Sequence, residues 1–410
     1  MNEREQRGLV IAAKSRIRKK AGLWSVPSQT GNGRRYTVNL TAGTCTCPDH
    51  QEAGHKCKHI FAVQYTVERE YSDDGTMMQT ETLTIQTPRK TYQQDWRSYN
   101  CAQVNEKDKF QLLLRGLCDT IRPPKRGLGR PRIPLPDAIF AAVFKVYSTV
   151  SGRRFMSDLR DANEKGYVAR LPSYNSIFRI LEAETTSDVL YSLILESANP
   201  LKAIEINFAC DSSGFSGCRF DRWFDQKWGE QRSMRAWVKA HVMTGVNTNV
   251  ITAVEIHGQH SSDTVLFKPL LNTTATRFRI GEVSADMAYL SESNLQAVVD
   301  AGGTPLIPFK SNSVASRPGL WNKMYHYFQL NRDEFMARYH QRSNVESTFS
   351  MVKAKFGDSV RSKTDTAMKN EVLAKILCHN ICCLISAMYE LGLDPSFEAE
   401  LQVAPKLAAS

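Results

Sequence analysis

The stretch AIEINFACD at residues 203–211 begins the part of the sequence that decides the fold. Apolar and polar residues alternate along it, which predicts a strand that ends at Asp211. Residues 236–244 and 249–256 have the same character, and the turn-forming residues 245–248 join them. Three successive strands of this kind predict a meander.

Helices and strands alternate after the meander. The predicted elements are helices at residues 262–271 and 291–301, strands at residues 280–285 (before Asp286) and 304–309, and long helices from about residues 331 and 367. A meander followed by alternating helices and strands indicates an α/β fold, with a mixed five-stranded sheet and flanking helices.

The chain has 410 residues, which is enough for two or three domains. Changes in composition predict a small module at residues 1–75, a linker and mainly helical basic region at 76–200, the α/β region at 201–395 and a tail at 396–410. The linker is expected in the Thr- and Gln-rich residues 80–94, and helical spacing follows at residues 138–150, 175–183 and 187–197.

The composition is basic, with a formal net charge of +11. This excess favours a polyanionic partner, although an ordinary basic soluble protein has the same balance. The apolar run at residues 9–13 is too short for a signal-peptide core, and the most apolar stretch, residues 373–388, is interrupted by Lys375, His379 and Asn380. We therefore expect a soluble, intracellular protein.

Ten cysteines are spread along the chain, which does not indicate a small disulfide framework. Three of them cluster with a histidine near the N-terminus. The other seven have mainly apolar neighbours, and we expect buried free thiols in a reducing compartment. They are Cys101, Cys118, Cys210, Cys218, Cys378, Cys382 and Cys383.

Four residues near the N-terminus form two closely spaced pairs, Cys-x-Cys and Cys-x-His. They are Cys45, Cys47, Cys57 and His59. Zn²⁺ takes four sulfur or nitrogen ligands in a tetrahedron, so two such pairs can supply a site with no open position, which would be structural. His50 and His55 are alternative ligands, and a chance cluster of cysteines is the other interpretation.

This pattern resembles the SWIM zinc finger, in which Cys-x-Cys is followed by a variable loop and Cys-x-His. A strand-like run at residues 35–40 precedes the pattern and an apolar run at residues 60–63 follows it, as in that module. The resemblance covers about residues 30–70. It implies an accessory module that contacts DNA or protein and carries no chemistry.

A second constellation lies on one predicted helix face. Each residue advances a helix by ~100°, so four polar residues share about a sixth of its circumference. They are Tyr339, Arg342, Glu346 and Lys353. The neighbouring apolar face carries Val345, Phe349, Val352 and Phe356. A solvated charged face is the ordinary interpretation, but a carboxylate flanked by cations also suits a site for a metal ion and phosphates.

Asp211 and Asp286 could form a metal site together with Glu346. Each follows a predicted apolar strand, and ligands collect at strand ends in open α/β sheets. Two aspartates from strand ends and one glutamate from a helix can hold two Mg²⁺ ions ~3.5–4 Å apart. Such a pair activates a water or 3′-hydroxyl and stabilises the leaving oxygen of a phosphodiester.

The spacing Tyr-x2-Arg-x3-Glu-x6-Lys from residue 339 to residue 353 resembles the signature of the IS4/IS5-type DDE transposases. Asp211 in ACDSSGF and Asp286 in SADMAY are similar to the family's two aspartate regions, and HSSD at residues 260–263 is similar to a region between them. The similarity covers about residues 200–390. Some relatives carry a large β-rich insertion before the glutamate, whereas 59 residues separate the second aspartate from the glutamate here.

The resemblance implies a ribonuclease H-like fold with Asp211, Asp286 and Glu346 as catalytic residues that bind Mg²⁺, for which Mn²⁺ can substitute. It implies cleavage of double-stranded DNA at terminal inverted repeats, strand transfer into target DNA, and a homodimer that holds two ends. It also implies a prokaryotic, nucleoid-associated protein of the cytoplasm. DNA near the transposon end would be contacted by Tyr339, Arg342 and Lys353.

Two further features have open interpretations. KRGLGRPR at residues 125–132 resembles an AT-hook, in which Arg130 and Arg132 would lie in a narrow minor groove, but a solvated basic linker fits the same residues. Trp321, in a predicted loop before the glutamate helix, is either a platform for an unpaired base or a buried aromatic.

The leading functional prediction is therefore a DNA transposase. The alternative is a transposase-derived DNA-binding protein without catalytic activity. A serine hydrolase is disfavoured, because a nucleophile elbow around Ser216 needs glycine two residues later and Cys218 stands there.

Overall fold

The structure is a computed structural model that describes residues 3–28, 34–68, 95–122, 133–217, 237–258, 263–315 and 319–397. The chain divides into two compact units, Met1–Tyr92 and Gln93–Ser410. Each unit has its own cluster of buried apolar residues, and each is described by itself below.

The first unit is an antiparallel four-stranded sheet with three helices. Its strands, in the order β1-β2-β3-β4, are β1 (Arg18–Lys20), β2 (Leu23–Pro27), β3 (Arg35–Asn39) and β4 (Thr44–Cys45). Its helices are α1 (Glu3–Lys14), α2 (Pro48–Ala53) and α3 (Lys58–Glu68). Helix α1 packs on α3 so closely that a Cβ at Gly8 would lie 2.6 Å from the Cβ of Phe61. The strand and helix expected on either side of the Cys/His cluster are confirmed as β3 and α3.

The second unit begins with helices. They are α4 (Trp96–Val104), α5 (Glu106–Asp119), α6 (Leu135–Ser148), α7 (Gly152–Glu164), α8 (Tyr174–Glu182) and α9 (Glu184–Ala198), followed by a 3-10 turn at Asn199–Leu201. The spacing at residues 138–150, 175–183 and 187–197 predicted α6, α8 and α9 to within a few residues.

A mixed five-stranded sheet follows the helices. Its strands are β5 (Phe208–Ser216), β6 (Trp237–Gly245), β7 (Ile251–His257), β8 (Glu282–Ala285) and β9 (Thr304–Leu306). They lie in the order β7-β6-β5-β8-β9, with β5-β6-β7 antiparallel and β8 and β9 parallel to β5. The predicted mixed sheet is therefore confirmed, and it is compatible with a ribonuclease H-like domain.

The remaining helices flank this sheet. They are α10 (Asp263–Ala275), α11 (Glu292–Asp300), α12 (Leu320–Leu330), α13 (Arg332–Tyr339), α14 (Ser343–Phe356) and α15 (Asp365–Glu390), with 3-10 turns at Met287–Tyr289 and His340–Arg342. Helix α15 packs against β6, β7 and most of the N-terminal helices, so one core runs through residues 102–387. The predicted domain boundaries remain predictions, and the core is continuous across residue 200.

Helix α15 is the one described helix that is long and apolar enough to cross a membrane by length and composition. Most of its apolar segment is buried inside the protein, and a core helix of a soluble protein has the same property. Its polar residues are bonded within this core: Asn380 donates to the Ile251 carbonyl over 2.8 Å and accepts from the Ile251 amide over 2.9 Å. The helix is thus weak evidence for membrane insertion.

The first predicted strand was placed too early. Residues 203–207 are not a strand, and β5 continues from Phe208 through Asp211 to Ser216. The strand extends beyond Asp211 because β6 supplies partners as far as the pair Ser216 and Trp237. Asp211 therefore lies within a strand and not at its end.

Three other expectations were wrong. Trp321 lies in α12 and not in a loop, and the helix expected from residue 331 is interrupted by the 3-10 turn at His340–Arg342. Cys101 is exposed, whereas Cys118, Cys210 and Cys378 are buried as predicted. Cys382 and Cys383 are partly buried.

Candidate active site and candidate metal centre

Asp211 and Asp286 lie beside each other at the edge of the parallel part of the sheet. The register pairs Cys210 of β5 with Ala285 of β8, so the next residue on each strand is an aspartate. Neighbouring strands lie ~4.8 Å apart, which brings the two side chains to the same region. The chain turns away after Ala285, where the Asp286 carboxylate accepts the Met287 amide over 2.6 Å and caps a 3-10 turn. Asp211 thus lies where parallel pairing ends, although its strand continues.

Arg342 joins the glutamate to this pair. Its Nη2 donates to the Glu346 carboxylate over 2.5 Å and its Nη1 to the Asp211 carboxylate over 3.1 Å. The guanidinium side chain is 18 % exposed, that of Asp211 22 % and that of Glu346 58 %. Because the cation is partly buried, these ion pairs are screened less than ordinary surface pairs.

The electrostatics show that three carboxylates converge here. Burial raises the pKa of Asp211, and the negative charges of Glu346 and Asp286 raise it further. The Ser212 amide and Arg342 lower this pKa, but the pKa of Asp211 remains above its usual value. Burial lowers the pKa of Arg342. The negative charges of Tyr339 and the three carboxylates raise it by more, so the pKa of Arg342 is above its usual value. A cluster of acids that repel one another is electrostatically suited to a cation.

Lys353 and Tyr339 complete the same surface. The Lys353 ammonium donates to the Ser213 hydroxyl over 2.7 Å and lies 5.4 Å from the centre of the Phe215 ring. Burial lowers its pKa. The Arg342 guanidinium lies 5.8 Å from the centre of the Tyr339 ring. The structure therefore brings together all six residues that the sequence assigned to this site.

Ser213 is a site residue that sequence reasoning missed. It lies two positions after Asp211 on β5, so both side chains point to the same side of the strand. If the strand had been predicted to continue past Asp211, the alternation of side chains would have placed Ser213 beside Asp211. The sequence analysis ended the strand at Asp211 and therefore did not consider Ser213.

The apolar face of α14 holds Glu346 in place, as predicted. Its four predicted core residues are all buried: Val345, Phe349, Val352 and Phe356. Asn344 donates to the Val246 carbonyl over 2.7 Å, which ties the start of α14 to the β6–β7 turn. The buried Lys375 donates to the carbonyls of Gly357 and Ser359 just beyond the end of α14. Both ends of the helix are thus fixed to the rest of the unit.

The donor set suits a hard divalent cation. Carboxylate oxygens are the ligands that Mg²⁺ and Mn²⁺ prefer. Arg342 contacts two of the three carboxylates, those of Asp211 and Glu346, and Asp286 lies beside Asp211 in the strand register. The guanidinium of Arg342 lies between Asp211 and Glu346. If these two carboxylates held a metal ion, the guanidinium would have to give up its contacts with them.

The first unit contains a separate sulfur and nitrogen cluster. The ligand atoms of Cys45, Cys47, Cys57 and His59 all lie within 4.8 Å of one another, and all four residues are buried. His59 Nδ1 lies 3.9 Å from the sulfur atoms of both Cys45 and Cys57. Such a group is compatible with a tetrahedral zinc site.

The local fold favours a thiolate at Cys57, whereas hydrogen bonding with Cys57 raises the pKa of Cys45 and burial raises the pKa of Cys47. Cys47 immediately precedes α2 and Cys57 immediately precedes α3, and helix N-termini stabilise a negative sulfur. Hydrogen bonds from Cys45, His59 and the Ile60 amide lower the pKa of Cys57 despite its burial. The alternative ligands are outside the cluster, since His50 Nδ1 bonds to the His55 carbonyl over 2.7 Å.

The other candidates contribute less. Trp321 packs against Phe309 with ring centres 4.9 Å apart, and its indole nitrogen donates to the Val314 carbonyl over 3.1 Å, which favours the core interpretation. Ser216 is the last residue of β5, where it pairs with Trp237 of β6. Arg130 and Arg132 lie outside the described residues, as do Cys218 and residues 260–262 of the HSSD sequence.

Residues 205–381 match a family described as the transposase DDE domain. The matched segment contains β5 to β9, both aspartates and the whole of α14. No curated protein and no solved structure matches the chain. The family match supports a DDE transposase, a class that binds DNA and uses divalent metal ions. It does not extend to the Cys/His cluster.

Proposed function

We propose that this chain is a DNA transposase of the IS4/IS5 type, which cuts double-stranded DNA at terminal inverted repeats and transfers the cut strand to target DNA. The observation that carries the proposal is the contact of one guanidinium, that of Arg342, with both Asp211 and Glu346 beside Asp286. The three carboxylates lie on β5, just after the end of β8 and on α14, and all of these residues are inside the matched segment.

The three carboxylates would hold two Mg²⁺ ions, or Mn²⁺ in their place. When bound, such ions activate a water or 3′-hydroxyl and stabilise the leaving oxygen of the phosphodiester. The protein fixes the geometry: Asp211 and Asp286 are held by the strand register, and Glu346 by the buried face of α14. This arrangement supports a ribonuclease H-like catalytic domain.

Tyr339, Arg342 and Lys353 would bind the DNA backbone near the reacting phosphate. Lys353 bonds to a neutral hydroxyl, so its charge remains available to a phosphate. Arg342 would exchange its carboxylate partners for phosphate oxygens when a metal ion replaces it. Two ends have to be held during the reaction, so we expect a homodimer on DNA, at the nucleoid of a prokaryotic cell.

The test is cleavage of DNA that carries the element's own terminal repeats, with Mn²⁺ present. We expect Glu346→Gln to reduce cutting by at least about 100-fold, because the amide keeps the shape but loses the charge that holds the cation. Glu390→Gln, an exposed substitution at the end of α15, is the matched control and should cut normally.

This experiment distinguishes an active transposase from a transposase-derived DNA-binding protein without catalytic activity. Undiminished cutting by Glu346→Gln protein would show that the assignment of the site is wrong. Tight binding of the repeats without any cutting by the wild-type chain would identify a transposase-derived DNA-binding protein.

In the first unit, we propose that Cys45, Cys47, Cys57 and His59 bind one structural Zn²⁺ in a SWIM-type module. The cluster supports this because its four ligand atoms are buried and within 4.8 Å of one another. Such a site leaves no open position for a substrate.

A further inference from the structure

A stretch of the first unit is free of acidic residues. Residues 14–48 contain no Asp or Glu, although they contain seven Lys and Arg residues. The nearest acidic residue after the stretch, Asp49, is paired with Arg4 over 2.9 Å. The stretch spans all of β1, β2, β3 and β4, and four of its seven cations lie on these strands: Arg18, Lys19, Lys20 and Arg35.

The strand register separates the two sides of this sheet. One side is buried: Trp24 pairs with Val38, which pairs with Cys45, and α3 packs against β2 and β3. Val26 and Val38 on that side are fully buried. Because side chains alternate along a strand, the residues between these positions point to solvent.

The solvent side carries cations and hydroxyls. We call this surface the basic face, and it consists of Arg18, Lys20, Ser25, Arg35 and Thr37. Its three cations and Thr37 are exposed. Arg18 and Lys20, two positions apart on β1, are separated by about 6.8 Å along the strand.

The cations of the basic face have no acidic partner among the described residues. Within the part of the chain that the structure describes, Arg18, Lys20 and Arg35 form no ion pair with a carboxylate. The Arg35 guanidinium lies across β2, where it donates to the Ser25 hydroxyl over 2.8 Å and to the Ser25 and Arg16 carbonyls over 2.9 Å. These bonds orient the guanidinium without neutralising it.

The residue types on the basic face indicate which kind of partner it binds. Protein partners are recognised by apolar and aromatic centres, whereas Leu23, opposite Lys20, is a single exposed large apolar residue on this side of the described sheet. Unpaired bases need aromatic platforms, but Trp24 and Tyr36 lie on the opposite side of the sheet. Phosphate oxygens are bound by Arg, Lys, Ser and Thr, which is the composition of this face.

We propose that the basic face binds the phosphate backbone of double-stranded DNA without reading its sequence. The zinc cluster lies on the other side of the same sheet, since Cys45 is on the buried side of β4. The metal would therefore support the binding surface without contacting DNA. This proposal concerns the first unit and does not depend on the candidate active site.

The experiment measures binding of the full chain to a short fluorescent duplex of arbitrary sequence between about 50 and 200 mM KCl, without chelator. We compare wild type with Arg18→Gln/Lys20→Gln and with Arg18→Glu/Lys20→Glu. Each lost phosphate contact lowers the log–log salt slope by about 1, so the neutral double variant should lower it by about 2 and weaken binding roughly tenfold at low salt. The charge-reversed variant should bind more weakly still.

Matched control variants test whether the change in salt slope comes from the basic face. Lys202→Gln/Lys323→Gln removes two exposed cations from the second unit and should change neither the slope nor the affinity. Zinc content equal to that of wild type would show that the first unit of each variant is folded. A salt slope unchanged in both basic-face variants would overturn the proposal.

Competition distinguishes the kind of partner. An unlabelled duplex should displace the labelled one, whereas a polyglutamate peptide of equal charge and vesicles containing phosphatidylserine should not do so at matched concentration. Stronger displacement by the peptide or the vesicles would overturn the assignment to DNA. Glu390→Gln protein, which is altered outside both sites, should bind as wild type does. The readout is binding without cutting, so a failure here is distinct from a failure at the candidate active site.

Discussion

At the scale of single residues, Arg342 makes the most informative contacts of the candidate site. It bonds to Asp211 and Glu346 at once, and both would be metal ligands. The same cation that stabilises the metal-free cluster of acids therefore competes with a divalent ion for it. The two occupants cannot both lie between the same oxygens.

We therefore expect Arg342→Ala to bind Mn²⁺ more tightly than wild type in the absence of DNA. A partly exposed ion pair contributes about 0.5–1 kcal/mol, which corresponds to roughly two- to fivefold in affinity. Cutting should nevertheless fall, because a phosphate contact is lost. Titration followed by the electron paramagnetic resonance of free Mn²⁺ measures the affinity of zinc-loaded protein. Arg332→Ala, at the start of α13, is the control. Weaker Mn²⁺ binding by Arg342→Ala would contradict the competition.

At the scale of elements, the sequence predicted which segments form the site better than where they end. Periodicity predicted the buried face of α14. Strands were also predicted before Asp211 and Asp286, and β5 and β8 are found there, although β5 continues past Asp211. Residues 203–207 alternate like a strand, but Glu205 in that segment is buried and accepts bonds from Asn247 and Thr248 of the β6–β7 turn. Such an anchor depends on residues more than forty positions away, which a local pattern does not contain.

Helix α12 shows the same limit. A loop was predicted at Trp321, whereas the structure has a helix there with the sequence LWNKMYHYFQL, which is rich in aromatic residues that form helices only moderately well. Met324 and Phe328, four residues apart, are buried in the core, and Phe328 contacts Phe335 of α13 with ring centres 5.0 Å apart. Packing of this side of the helix overrides the weak propensity.

The junction between α14 and α15 depends on one buried cation. Lys375 donates to the Gly357 and Ser359 carbonyls, and its ammonium lies near Glu371, Arg361, Asp358 and Cys378. Burial lowers the pKa of Lys375 from 10.5 to about 8. Between these two values the unfolded chain binds more protons than the folded one, so this residue makes the folded state more stable as pH rises.

We expect the free energy of unfolding of wild type, measured relative to that of Lys375→Met, to increase between about pH 8 and pH 10.5. The slope should not exceed about 1.4 kcal/mol per pH unit, the limit for one proton. Urea titrations of both proteins at several pH values give this difference. Lys363→Met, at an exposed position nearby, should show a difference that does not change with pH. A Lys375→Met difference that is constant with pH would contradict a lowered pKa.

At the scale of the whole molecule, the two units are stabilised by different means. The second unit has a large apolar core that runs through its helices and sheet, whereas nine buried apolar residues form the core of the described part of the first. Three of those nine are Cys45, Cys47 and Cys57. Small cores of this kind are often supported by a structural metal, and a zinc site contributes directly to folding free energy.

Removal of zinc should therefore unfold the first unit and leave the second folded. We expect Cys57→Ser protein to carry no stoichiometric zinc, and its β3 and α3 amides to lose protection from hydrogen exchange, because ligand loss exposes a core that has few other apolar contacts. The amides of β5 and β6 should keep their protection, since their core contains no ligand of the cluster. Cys101→Ser, which removes an exposed thiol on α4, should retain zinc and full protection. Protection in β3 and α3 that survives the loss of zinc would mean that the four ligands contribute packing alone.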